Sequence, residues 1–94
     1  MHETGIVREL VERIVLAARS AGARRIRGAQ VWIGALAPFS PEHFREHFEK
    51  EARGTPVEAT RLHIECSDDM LHDQAQYVML QWLDLEFPDD SEGM

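Results

Sequence analysis

Cysteine occurs once in the 94 residues, at Cys66, so an internal disulfide is excluded and a thiolate framework for a structural metal cannot be assembled from this sequence. Long apolar runs are missing as well, and Glu3, Arg8, Glu9, Glu12 and Arg13 interrupt the start where a signal peptide needs an unbroken hydrophobic core. No membrane association is expected, and the reducing cytoplasm is the expected location. Positive charge is scarce: 10 Lys and Arg face 17 Asp and Glu for a net charge of −7, with acids gathered in DLEFPDDSEGM. Such a molecule repels phosphate backbones, which excludes nucleic acid as a partner. One basic cluster, Arg19, Arg24, Arg25 and Arg27 in RSAGARRIR, suits a solvated turn or a dock for an acidic surface. Catalytic signatures are also lacking, since no Ser-His-Asp ordering, nucleophile elbow or phosphate-cradling glycine loop occurs. A carrier or adaptor is expected rather than an enzyme.

What the sequence holds is enough for one domain, with 44% hydrophobic residues. Ile6, Val7, Leu10, Val11, Ile14, Val15 and Ala18 repeat at the spacing of a one-faced helix, and Gly22 stops it. After the basic turn, AQVWIGAL alternates as a strand, with Ala29, Val31, Ile33 and Ala35 inward and Gln30, Trp32 and Gly34 outward. In PFSPEHFREHFEKEARGTP, Ser40 is a good N-cap, Pro41 fits the first helical position, Gly54 closes the helix, and Phe44, Phe48 and Ala52 mark its buried side. ATRLHIEC is a second strand with Leu62 and Ile64 inward and Arg61, His63 and Glu65 outward; SDDMLHDQAQ is a connection. In YVMLQWLDLEF the apolar phase changes, so a bulge near Gln81–Trp82 would let Val78, Leu80, Leu83 and Leu85 all face the core. The order helix, strand, helix, strand, strand predicts an α+β fold with two helices on one face of a three-stranded sheet.

The start MHE is chemically unusual. The first backbone N–H groups of a helix have no intrahelical partner, so the amides of His2 and Glu3 are free for other work. With the α-amine of Met1 and the imidazole of His2 they can be drawn as four nitrogens in a plane, a geometry that suits Ni(II) or Cu(II). The bland alternative is a solvated histidine side chain.

MHE running into an amphipathic helix, then GARRIRGAQVWIGAL, SPEHFREHFE and RGTPVEATRLHIE, resembles the nickel domain of the HypA/HybF hydrogenase-maturation metallochaperones; QWLDLEF resembles that family's last strand. The resemblance implies a HypA-like nickel-binding domain over residues 1–87, and the acidic PDDSEGM after it reads as a flexible tail at 88–94. It also implies Ni(II) as transient cargo, held by His2 with Met1 and Glu3. As partners it implies a HypB-type GTPase and the large subunit of [NiFe]-hydrogenase. Family members carry a CxxC zinc ribbon between the last two strands, whereas this chain has CSDDMLHDQAQ there, so no structural zinc is expected. Cys66, Asp68, Asp69 and His72 would make at best a makeshift site, and a tight acidic turn explains the same residues.

His43 and His47 stand i, i+4 on a helix but lack an evident third ligand, and His63 belongs to the open sheet face. Trp32 and Trp82 fall on that same face, away from the helices, and are candidate partner-binding residues; cover by the SDDMLHDQAQ connection is the alternative. A homodimer through that face is compatible with the pattern. The second functional reading is therefore an assembly or interaction module of a hydrogenase-like complex that keeps the fold but does not deliver nickel.

Overall fold

The computed structural model describes residues 3–88, with the backbone alone at residues 3 and 4. The first helix, α1 (Glu3–Ala21), buries Val7, Leu10, Val11, Ile14 and Ala18, with Ile6 and Val15 packed beside them. Its end is a Schellman arrangement: the amide of Ala23 donates to the carbonyl of Ala18 at 2.9 Å and that of Gly22 to Arg19 at 3.0 Å, with Gly22 at φ 77. The second helix, α2 (Pro41–Ala52), starts as expected, with the Ser40 side chain accepting from the amide of His43 at 3.2 Å, and it buries Phe44, Phe48 and Ala52. Full burial of side chains of this size stabilises by about 1.5–3 kcal/mol each, so these two apolar stripes hold the helical layer to the sheet.

Three strands, β1 (Arg25–Ile33), β2 (Arg61–Cys66) and β3 (Val78–Glu86), form one sheet in the order β2-β1-β3. β2 runs parallel to β1, and β3 antiparallel to it. The expected α+β architecture is the one observed. In β3 the register shifts so that Val31 pairs with Leu80 and Gln30 with Trp82, leaving Gln81 as the extra residue. That bulge turns Val78, Leu80, Leu83 and Leu85 toward the core, where all four pack.

The structure corrects β1 at both ends. It begins at Arg25, within the stretch expected to be a basic turn, and it ends at Ile33, so Ala35 lies beyond the strand. At the start, a second register shift accounts for the difference: Ile26 pairs with Leu85 and Gly28 with Asp84, leaving Arg27 unpaired. This bulge changes phase, so Ile26 joins Ala29, Val31 and Ile33 in the core while Arg25 and Arg27 stay exposed.

Chain direction fixes which features share an end. α1 turns back into β1 through Gly22, and α2 connects the two parallel strands, so both helices run against β1 and alongside each other. An ion pair from Arg8 Nε to Glu51 Oε1 at 3.1 Å ties them. One end of the molecule therefore collects the starts of α1, α2 and β3 with the ends of β1 and β2. The other end holds the starts of β1 and β2 and the end of β3.

Candidate functional site

Met1 and His2 lie outside the described residues, as does the side chain of Glu3, and so do residues 89–94 of the expected tail. The backbone of α1 starts at Glu3, whose amide is thus among the N–H groups that lack an intrahelical acceptor. Two other features crowd the same end of the fold. The His43 and His47 rings, on the first turns of α2, stand 5.0 Å apart between centroids, at 55° to each other. The connection between β2 and β3 covers the ends of the strands. Among the described residues no group of three or more His, Cys, Asp or Glu side chains is arranged to hold a metal ion.

The connection is a set of tight turns in which the side chains of Ser67, Asp69 and His72 accept from its own backbone. The amide of Asp69 donates to Ser67 Oγ at 3.1 Å, that of Leu71 to Asp69 Oδ1 at 3.0 Å, and that of Gln74 to His72 Nδ1 at 2.9 Å. Cys66 is exposed at the end of β2. Of the two readings of these residues, the geometry matches the turn. The connection is also docked: the amide of Gly34 donates to Tyr77, that of Leu36 to Ala75 and that of Ser67 to Ile33, at 2.8–2.9 Å.

This docking separates the two tryptophans. Trp32, expected on an open face, is 7% exposed, because the connection folds over it and brings the His72 ring to 4.9 Å. It is a core residue and is withdrawn as a partner-binding candidate. Trp82 is 43% exposed, with the His63 ring 5.6 Å away, and stays on the open face as expected. Beside it Gln30 Nε2 donates to Glu65 Oε1 at 3.2 Å and to Gln81 Oε1, linking all three strands across that face.

A site that the sequence offered only in part, through Arg25 and Arg27 of the basic cluster, lies at the opposite end of this face. A groove of about 580 Å³ has Gly28 as its floor and Arg25, Arg27, Arg61, Trp82 and Asp84 around it. Arg25 reaches Glu86 and Arg27 reaches Asp84 only at 3.9 Å. The alternation Arg-Ile-Arg, out of phase with Ala29, Val31 and Ile33, was the available signal.

A model of the family described as hydrogenase/urease nickel incorporation, metallochaperone, HypA, matches residues 1–72. The hydrogenase maturation factor HypA of Methanopyrus kandleri is 35% identical over 65 residues, covering 69% of this chain and 46% of the relative. That of Chlorobium limicola is 40% identical over 65 residues, covering 69% and 56%. The chain thus spans about half the length of the curated relatives it matches. In fold, the solution structure of the nickel metallochaperone HypA from Helicobacter pylori superposes with a TM-score of 0.80 at 19% identity, over 94% of this chain and 100% of that one. A family match that takes in both helices, two of the three strands and the MHE start shows that the chain belongs to the HypA family of nickel-incorporation metallochaperones.

Proposed function

We propose that this chain is a nickel carrier for [NiFe]-hydrogenase maturation that binds Ni(II) at its N-terminus. The observation that supports this most is that the family match begins at residue 1 and so includes Met1, His2 and Glu3. The α-amine of Met1, the amides of His2 and Glu3 and the imidazole of His2 supply four nitrogens for a tetragonal ion. Binding displaces protons from these donors, so the cargo is held in competition with protons and passes readily to a partner offering thiolates. That partner set is a HypB-type GTPase and the hydrogenase large subunit. The chain acts in the cytoplasm as a carrier and not as an enzyme, and its fold needs no structural zinc.

The exposure of Trp82 supports the second reading, an assembly module or homodimer that uses the open sheet face. Nickel titration of untagged protein beginning at Met1 separates the site from its alternatives. One Ni(II) per chain is expected, and His2→Ala is expected to remove it while circular dichroism stays unchanged. Unaltered stoichiometry in the variant would overturn the assignment.

A further inference from the structure

We propose that the groove over Gly28 is a docking site for an acidic, extended peptide segment of a partner protein. Its shape comes from the Arg27 bulge. Arg27 is the extra residue of the bulge and is exposed, whereas Gly28 beside it is buried and, having no side chain, forms the floor of the groove beneath the surrounding side chains. A Cβ on Gly28 would sit 3.5 Å from both the Arg61 carbonyl oxygen and the Asp84 Cβ, and 3.7 Å from the Trp82 ring. The glycine therefore leaves a depression between the Arg61 carbonyl and Asp84 that a methyl group would occupy at ordinary contact distance, deepening the groove at that point.

The charge of this groove is opposite to that of the molecule. Arg25, Arg27 and Arg61 face one lining carboxylate, Asp84, on a chain of net charge −7. Their internal pairings leave capacity: two are at 3.9 Å, and Arg61 has no ion pair among the described residues. Guanidinium groups bind carboxylates in pairs of parallel hydrogen bonds, so incoming carboxylates at about 2.8 Å would improve on these loose contacts. Trp82 and His63 supply an aromatic wall for an apolar side chain between two acids. A peptide fits better than a polyphosphate or nucleic acid, because Asp84 would face a continuous line of phosphates but can accept a backbone N–H from a peptide. The groove lies at the end away from the start of α1, so a partner held here leaves the N-terminal end open. This inference does not depend on the nickel reading.

The test uses the full chain and the fluorescence anisotropy of a dye-labelled octapeptide of alternating glutamate and leucine as probe, a readout that does not depend on the protein's own tryptophans. Saturable binding is expected, weakened about tenfold or more by Arg61→Glu and by Trp82→Ala, and weakened as salt rises through the range in which exposed charges are screened. Both positions are exposed, so the fold is expected to persist, and Arg61→Lys provides a milder variant that keeps the charge and binds with intermediate strength. Inorganic triphosphate and a single-stranded oligonucleotide serve as competitors. Peptide binding that ignores these substitutions, or displacement by either phosphate compound at lower concentration than by free peptide, would overturn the proposal.

Discussion

Gly34 shows how much a single missing side chain can decide. A Cβ there would overlap the backbone of Ala75, its carbonyl above all, so the connection between β2 and β3 lies flush on the end of β1 only because the residue is glycine. Gly34→Ala is expected to lift the connection, uncover Trp32 and cost about 1–3 kcal/mol, the range for overpacking a close contact. The check is the denaturant midpoint, together with a red shift of the Trp32 emission. A stability equal to that of the unmodified protein would show that the connection moves aside freely. Nothing in the sequence announced this contact, because Gly34 and Ala75 meet across the whole connection. The same blindness explains Trp32: alternation placed it on the outer face correctly, but period-2 patterning says nothing about what a later loop lays over that face. A charged substitution at Trp32 would therefore damage the core and could not report on a partner.

At the scale of elements, local signals carried most of the fold. The Ser40-Pro41 start, the Gly22 stop and the Phe44, Phe48 and Ala52 stripe all act within a turn or two of chain, which is why they were legible. The β3 bulge was legible for a similar reason, since the side-chain period of a strand is two and the apolar phase breaks at Gln81–Trp82. The β1 bulge has the same logic, yet its arginines looked like a turn, because charge clusters usually mark solvated loops and here they mark the outer side of a strand whose other side is Ile26. Deleting Gln81 tests the account of β3. Without the extra residue, either Val78 and Leu80 or Leu83 and Leu85 must turn outward, and the loss of two partly buried leucine- or valine-sized contacts is expected to cost about 2–4 kcal/mol and to promote aggregation. Hydrogen-exchange protection along β3 would fall on one side of residue 81 only. Uniform protection with unchanged stability would remove the bulge as the reason for this phase change.

For the whole molecule, the two candidate functions sit at opposite ends, so they can be broken separately. The N-terminal proposal rests on MHE and the family resemblance, with Met1 and His2 outside the described residues, whereas the basic cluster was readable as a dock but its joining of Arg25 and Arg27 with Arg61 in one channel needed the pairing of β1 with β2. Adding one residue ahead of Met1 replaces the α-amine with a peptide bond and shifts the chain start away from the proposed square plane. High-affinity nickel binding is expected to disappear in that variant, client hydrogenase activity in cells to fall, and excess nickel in the medium to restore part of it. Trp82→Asp leaves the terminus untouched and places an unpaired charge at the exposed aromatic wall, so it is expected to spare nickel stoichiometry while weakening partner capture. If instead the extended protein supports full hydrogenase activity and Trp82→Asp abolishes it, delivery from the N-terminus is not the task, and the open sheet face carries the function. The discriminating readout is the pair of variants measured together, because nickel binding by purified protein alone would be satisfied by a carrier and by an adaptor that merely retains the site.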